Sequence, residues 1–109
     1  MKTVPEIETE IILFSPESGG RKSIGQLKGF MPHLVIGSSH LKAKDEDYLG
    51  VVVIQPSSMI NYSTPTRVRF GLMYYPKVDY GKLVVGVEFT IREGSSVIGS
   101  GKVLSAMAP

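Results

Sequence analysis

Hydrophobic and polar residues alternate most clearly near the C-terminal end of the chain. From position 85 to 92, four apolar residues alternate with four others: Val85, Gly86, Val87, Glu88, Phe89, Thr90, Ile91 and Arg92. A period of two is typical of a strand with one face in a protein core and the other in water. A turn-like segment at 93–96 then precedes a second apolar run at 97–103, so the pattern predicts a β-hairpin.

Glycines mark the turn and the return strand of this hairpin. Gly94 can adopt a positive φ without the steric penalty of a Cβ atom, so a chain reversal is easy there. Gly99 and Gly101 fall on one face of the return strand. Because glycine leaves room for a neighbouring backbone, we expect another part of the chain to approach closely at that face.

Four further segments upstream of the hairpin have the character of strands. The segment 6–14 begins with alternation, 32–37 and 49–54 are short and apolar, and 67–74 alternates along its whole length. None of the longer windows shows the apolar stripe of a helix. Six strands separated by turns predict an all-β fold, either an antiparallel barrel or a sandwich, built as one domain over residues 1–109.

Composition and charge limit the compartment and the kinds of partner. The 109 residues are 42% hydrophobic and 20% charged, which suits one modest core. A net charge of +2 is too small to indicate a nucleic-acid partner by itself. The absence of cysteine excludes disulfides and thiolate metal sites, and no segment resembles a secretory signal or a membrane span. We therefore expect a cytoplasmic protein that does not engage a membrane.

The sequence carries no recognisable catalytic or cofactor motif. Arg21 stands directly before Lys22, where a P-loop requires glycine, so a bound nucleotide is not expected. The acidic run 45–47 near His40 fits neither an EF-hand nor a zinc pattern and is predicted to be a solvated loop. The two histidines, His33 and His40, are not accompanied by a nucleophile elbow. We therefore predict a protein that is not an enzyme and needs no cofactor or metal.

Three stretches of the chain together resemble one protein family. Positions 18–23 read S-G-G-R-K-S, positions 28–33 read K-G-F-M-P-H, and positions 89–103 read F-T-I-R-E-G-S-S-V-I-G-S-G-K-V. They are similar, in the same order, to E-G-G-R-H-T, K-G-Y-R-P-Q and F-A-I-R-E-G-G-R-T-V-G-A-G-V-V of the C-terminal β-barrel domain (domain 3) of translation elongation factor Tu. The resemblance covers about residues 6–107, and the GTPase domain of that family has no counterpart in this chain.

The resemblance implies a six-stranded antiparallel closed β-barrel that serves as a binding module in translation. In the family, this barrel contacts aminoacyl-tRNA, the GTPase domain and the exchange factor through surfaces that include the three motifs. Carried over by position, Arg21, Lys22, Arg92 and Gly94 would form the contact surface for tRNA or an elongation-factor partner. Cationic side chains and the N–H group of a turn glycine can both contact phosphates.

Three departures from the family pattern leave a second function open. Met31 and Ser96 stand where the family has arginine, and His33 stands where it has glutamine. The loss of two cations weakens the case for RNA, because each phosphate contact adds to salt-dependent affinity. The alternative is a protein-interaction or regulatory module, such as a mimic or neutraliser, that keeps the barrel and binds a different protein. An exposed apolar patch of Phe30 and Met31, with Met73 nearby, would favour this alternative.

Overall fold

The computed structural model describes residues 4–15, 27–37, 47–56 and 61–108. In these ranges the chain forms a closed barrel of six antiparallel strands with almost no helix, which confirms the predicted fold class. The strands are β1 Glu6–Leu13, β2 His33–Ile36, β3 Leu49–Gln55, β4 Thr66–Leu72, β5 Glu88–Glu93 and β6 Ser96–Ala108. Their order around the barrel is β1-β4-β3-β2-β5-β6, and β6 pairs with β1 to close it. No helix in the described ranges is long and apolar enough to cross a membrane.

The barrel interior is filled by one apolar face from each strand. The buried apolar residues that the strands contribute are Ile7, Ile11, Leu13, Leu34, Leu49, Val51, Val53, Val68, Phe70, Leu72, Phe89, Ile91, Ile98 and Val103. Thr9 is also buried, and its Oγ1 hydroxyl donates a 2.8 Å hydrogen bond to the carbonyl oxygen of Val68. The buried hydroxyl therefore has a partner, as a polar group away from water requires.

Gly99 and Gly101 allow β1 to lie close against β6, as the sequence predicts. A Cβ atom on Gly99 would stand 2.6 Å from the carbonyl oxygen of Ile12. A Cβ atom on Gly101 would stand 2.7 Å from the carbonyl oxygen of Glu10 and 2.7 Å from Cζ of Phe89. The close approach involves backbone atoms of β1, which cannot move aside as a flexible side chain can.

Strand limits differ most from the predicted ones at β4, β5 and β6, and β6 runs to Ala108, five residues past its predicted end at position 103. β5 begins at Glu88, because Gly86 adopts a φ of 90° and Val85, which is 61% exposed, lies in the turn before the strand. β4 ends at Leu72, whose carbonyl accepts the N–H of Tyr75 at 3.3 Å in the following turn. Tyr74 is therefore outside β4 and 49% exposed, rather than on its core face.

The long connection between β4 and β5 is held to the barrel by Tyr80. This residue is buried, and its hydroxyl donates a 2.7 Å hydrogen bond to the carbonyl of Gly50 in β3. The same hydroxyl accepts the N–H of Tyr74 at 3.1 Å. Burial raises the pKa of the Tyr80 hydroxyl, and the hydrogen bond from Tyr74 partly offsets that effect. The Tyr80 hydroxyl thus hydrogen-bonds both to Tyr74 in the connection and to Gly50 in β3.

Candidate binding surface

The pairing of β2 with β5 brings two of the sequence motifs side by side. His33 in β2 is the antiparallel partner of Arg92 in β5, and Leu34 is the partner of Ile91. Leu34 and Ile91 are fully buried, so the alternation of the strands turns His33 and Arg92 to the outer face of the barrel. Segments far apart in the chain therefore share one part of the outer wall.

Arg92 lies on this outer face but is covered. Its side chain is 1% exposed, although the alternating pattern predicts that Thr90 and Arg92 face water. Its Nε donates a 3.0 Å hydrogen bond to Oγ1 of Thr90, and its Cζ lies 5.9 Å from the centre of the Tyr48 ring. Both faces of β5 are thus buried. In this conformation Arg92 is packed into the wall, with almost none of its side chain exposed.

His33 is half-buried and its ring is held by Tyr48. The two rings meet edge to face, with centroids 5.8 Å apart and an interplanar angle of 72°. This geometry is favourable for aromatic pairs because the edge of one ring faces the electron-rich face of the other. Tyr48 therefore contacts both His33 and Arg92 and links the two strands on the outside of the barrel.

A second ring, Tyr74, lies against the wall next to His33. Gly50 is the partner of His33 in β3, and a Cβ atom on Gly50 would clash with the ring of Tyr74. Glycine at this position leaves room for the Tyr74 ring to lie close to the backbone of β3. The sequence reasoning did not identify Tyr48 or Gly50 as part of the surface. The sequence feature that could have pointed to Gly50 is the presence of a glycine in the otherwise valine-rich strand β3.

Met31 and Gly94 extend the same surface beyond the ends of β2 and β5. Met31 is 61% exposed, and Gly94 is exposed at the turn of the β5–β6 hairpin with a φ of 60°. Met31 precedes His33 by two residues and Gly94 follows its partner Arg92 by two, so both lie beyond the same end of the β2–β5 pair. We call Met31, His33, Tyr74 and Gly94 the β2/hairpin surface.

The other residues considered from the sequence lie either outside the described ranges or on other parts of the barrel. Arg21 and Lys22, together with His40 and the acidic residues 45 and 46, lie outside the described residues. Phe30 packs partly buried against the core. Met73 donates its N–H to the carbonyl of Gly50 at 3.3 Å, so it adjoins β3 from the β4 side instead of joining Met31. The apolar part of the β2/hairpin surface therefore consists of Met31 and the Tyr74 ring.

The described part of the β2/hairpin surface exposes groups suited to direct contact with a ligand. In the described ranges, no three His, Asp or Glu side chains are grouped so as to hold a metal ion. A scan of the chain against models of protein families finds no matching family. What the surface offers a ligand is a thioether, two aromatic rings and the backbone of a glycine turn.

Proposed function

We propose that this protein is a non-catalytic binding module of the cytoplasm, related to the C-terminal barrel of elongation factor Tu, that contacts a component of the translation apparatus. The ligand is tRNA or an elongation-factor protein. The support is the resemblance of three motifs together with the closed six-stranded barrel. No bound nucleotide, metal or other cofactor is part of the proposal.

One observation carries the proposal, namely that β2 and the β5–β6 hairpin lie side by side. Met31 and His33 belong to the second motif, and Gly94 belongs to the third. The register of β2 with β5 pairs His33 with Arg92, which are two residues away from Met31 and Gly94 respectively. Loops and turns on a rigid scaffold often carry binding residues, and this end of the β2–β5 pair gathers such residues from two motifs.

An RNA ligand would use the rings and the turn of this surface. The half-exposed ring of Tyr74 offers a face on which a base can stack, with His33 as its neighbour across β3. The N–H groups at the exposed Gly94 turn can donate to phosphate oxygens. In the proposal, Arg21 and Lys22 of the first motif supply the positive charge, because the described surface itself carries little.

A protein ligand is the second candidate, and two features favour it. Met31 exposes 61% of its area, and an exposed methionine is an adaptable apolar contact. Arg92 is buried, which takes one expected cation away from the surface. An apolar centre with few charges is typical of the middle of a protein interface. The chain would then act as a regulatory module, such as a mimic or neutraliser, with another protein as its ligand.

The test is a titration of the purified protein with labelled tRNA and, separately, with a purified elongation factor, each at two salt concentrations. A double variant, Arg21→Ala with Lys22→Ala, removes the charges, and Met31→Ala removes the thioether. Lys102→Ala is the matched control, since Lys102 is an exposed cation on β6, away from the surface.

Each ligand predicts a different pattern of results. For RNA, affinity should fall steeply with salt, and the double variant should reduce the slope by about 0.7 to 0.9 for each phosphate contact that is lost. For a protein, Met31→Ala should weaken binding by about 5-fold or more while salt has little effect. If neither ligand binds at low salt, or if Lys102→Ala weakens binding as much as the test variants, the proposal is wrong.

A further inference from the structure

A depression on another part of the barrel wall brings together three cationic side chains, Lys28, Arg67 and Arg69. Its volume is about 660 Å³, and its polar lining consists of Glu8, Lys28, Gln55, Arg67 and Arg69. Ile54 and Pro56 form its apolar wall. It shares no residue with the β2/hairpin surface. Its volume is within the range of small-molecule sites, roughly 300 to 1,000 Å³.

The charges in this depression do not balance. Arg69 holds Glu8 through two contacts to the same carboxylate oxygen, at 2.7 Å from Nε and 2.6 Å from Nη2. A further contact of 3.7 Å joins its Nη1 to Glu6. Within the described residues, Lys28 and Arg67 form no ion pair, even though Glu10 is the strand partner of Arg67. Among the described residues, these two positive charges therefore have no carboxylate partner.

A β-bulge places the amide of Gln55 beside these cations. Val53 pairs with Phe70 and Gln55 pairs with Arg69, so β3 carries one residue more than β4 between the two pairs. Without this extra residue, Ile54 would stand opposite Arg69. The bulge instead turns Gln55 to the outer face, next to the guanidinium group. Bulges of this kind re-aim side chains and are frequent beside functional sites.

We propose that this depression binds the phosphate group of a small phosphorylated ligand. Arg67 and Lys28 supply the charge that a phosphate dianion requires, while Glu8 occupies part of the Arg69 guanidinium and leaves it further N–H donors. Gln55 can hydrogen-bond to a polar group of the ligand, while Ile54 and Pro56 contact its organic part. A nucleotide, a sugar phosphate and inorganic phosphate share this chemistry.

The experiment is a titration of the full-length chain, followed by the backbone amide shifts in NMR. The probes are inorganic phosphate, ribose 5-phosphate and adenosine 5′-monophosphate, and adenosine serves as the uncharged reference. We expect saturable shifts at positions 28, 54, 55 and 67 with the phosphorylated probes and none with adenosine. The order of affinity among the three phosphate-containing probes shows whether the depression prefers a nucleotide, a sugar phosphate or inorganic phosphate.

Three substitutions with opposite expected effects make the test specific. Arg67→Gln should weaken binding by about 3- to 10-fold, because it removes one exposed cation. Glu8→Gln should strengthen binding by about 2- to 5-fold, because it frees the guanidinium of Arg69 and removes the opposing charge. Lys102→Gln, which changes an exposed cation on β6, should leave the affinity unchanged. All three positions are on the outer wall, and circular dichroism verifies that each variant folds.

Several outcomes would overturn the proposal. One is a spread of shifts around Lys102 comparable to those in the depression, which means nonspecific attraction of anions. Another is a loss of affinity in Glu8→Gln. A third is binding of tRNA that depends on Arg67 while none of the small probes binds, which makes the depression part of an RNA surface. Met31→Ala should leave phosphate binding unchanged. A negative result with the phosphate probes therefore says nothing about the function proposed for the β2/hairpin surface.

Discussion

Replacing Tyr80 with phenylalanine tests how the β4–β5 connection is fixed to the barrel. The substitution keeps the buried ring and removes only the hydroxyl that joins Tyr74 to Gly50. We expect the barrel to remain folded but to be less stable. Because the Tyr74 ring lies on Gly50, the variant should also loosen one side of the β2/hairpin surface.

The expected loss of stability depends on the hydrogen-bond partners that Gly50 and Tyr74 keep after the hydroxyl is removed. The carbonyl of Gly50 still accepts the N–H of Met73 at 3.3 Å, so it is not left without a hydrogen bond. The N–H of Tyr74 loses the 3.1 Å bond to the hydroxyl, and that bond is only partly buried. We therefore expect a decrease of about 1–2 kcal/mol in the free energy of unfolding, rather than the larger cost of a fully buried orphan.

The assay is urea unfolding followed by circular dichroism. Tyr75→Phe is the matched control, since Tyr75 is 42% exposed and its change should stay within about 0.5 kcal/mol. A value for Tyr80→Phe that equals the control would show that the hydroxyl contributes nothing. The bond geometry described here would then be wrong.

The same variant predicts a difference at alkaline pH. Burial raises the pKa of Tyr80 in the folded state, so the folded chain keeps this proton to a higher pH than the unfolded chain does. The contribution to stability is complete below the unfolded value of about 10 and is lost as the pH rises through the folded-state pKa. As the pH rises above about 10, the wild type should therefore lose stability more steeply than Tyr80→Phe. If the stability of the two proteins falls in parallel with rising pH, the raised pKa of Tyr80 is refuted.

Three further substitutions test the wall of the barrel, each by urea unfolding. Gly101→Ala should cost about 1–3 kcal/mol because its Cβ would meet the β1 backbone, whereas Ser100→Ala beside it should be nearly neutral; equal effects would contradict the close approach. Arg92→Ala should cost about 2–4 kcal/mol through lost packing and hydrogen bonding, and a neutral result would mean that its side chain is not buried in solution. Thr9→Val should cost about 0.5–1.5 kcal/mol for the lost bond to Val68, and a gain in stability would refute that bond.

The strands could be predicted from the sequence because alternation is a local property. Ile7, Ile11 and Leu13 repeat at the period of a strand, and the structure buries all three. Burial on the outer face could not be predicted in this way. Thr90 and Arg92 read as solvent-facing, since the pattern along β5 carries no information about what lies over the barrel wall.

The candidate surface could be predicted only in part, and the reason is the strand order. His33 and Arg92 entered the prediction separately, through two motifs, and only the pairing of β2 with β5 makes them neighbours. Tyr48 belongs to no motif, and it was missed because a ring that contacts two strands from outside has no local signature. The depression formed by Lys28, Arg67 and Arg69 was missed for the same reason, since its members come from separate segments.

The closure of the sheet restricts how any partner can be recognised. Each of the six described strands has a hydrogen-bonded neighbour on both sides, so in the described part of the barrel no strand is free along its whole length for an extended peptide to add as a further strand. Recognition by the paired part of this wall therefore uses side chains, or the amides of turns such as the one at Gly94. Substitution of outward-facing residues should thus be able to abolish binding outright, because no ladder of main-chain hydrogen bonds with the partner would remain to sustain it.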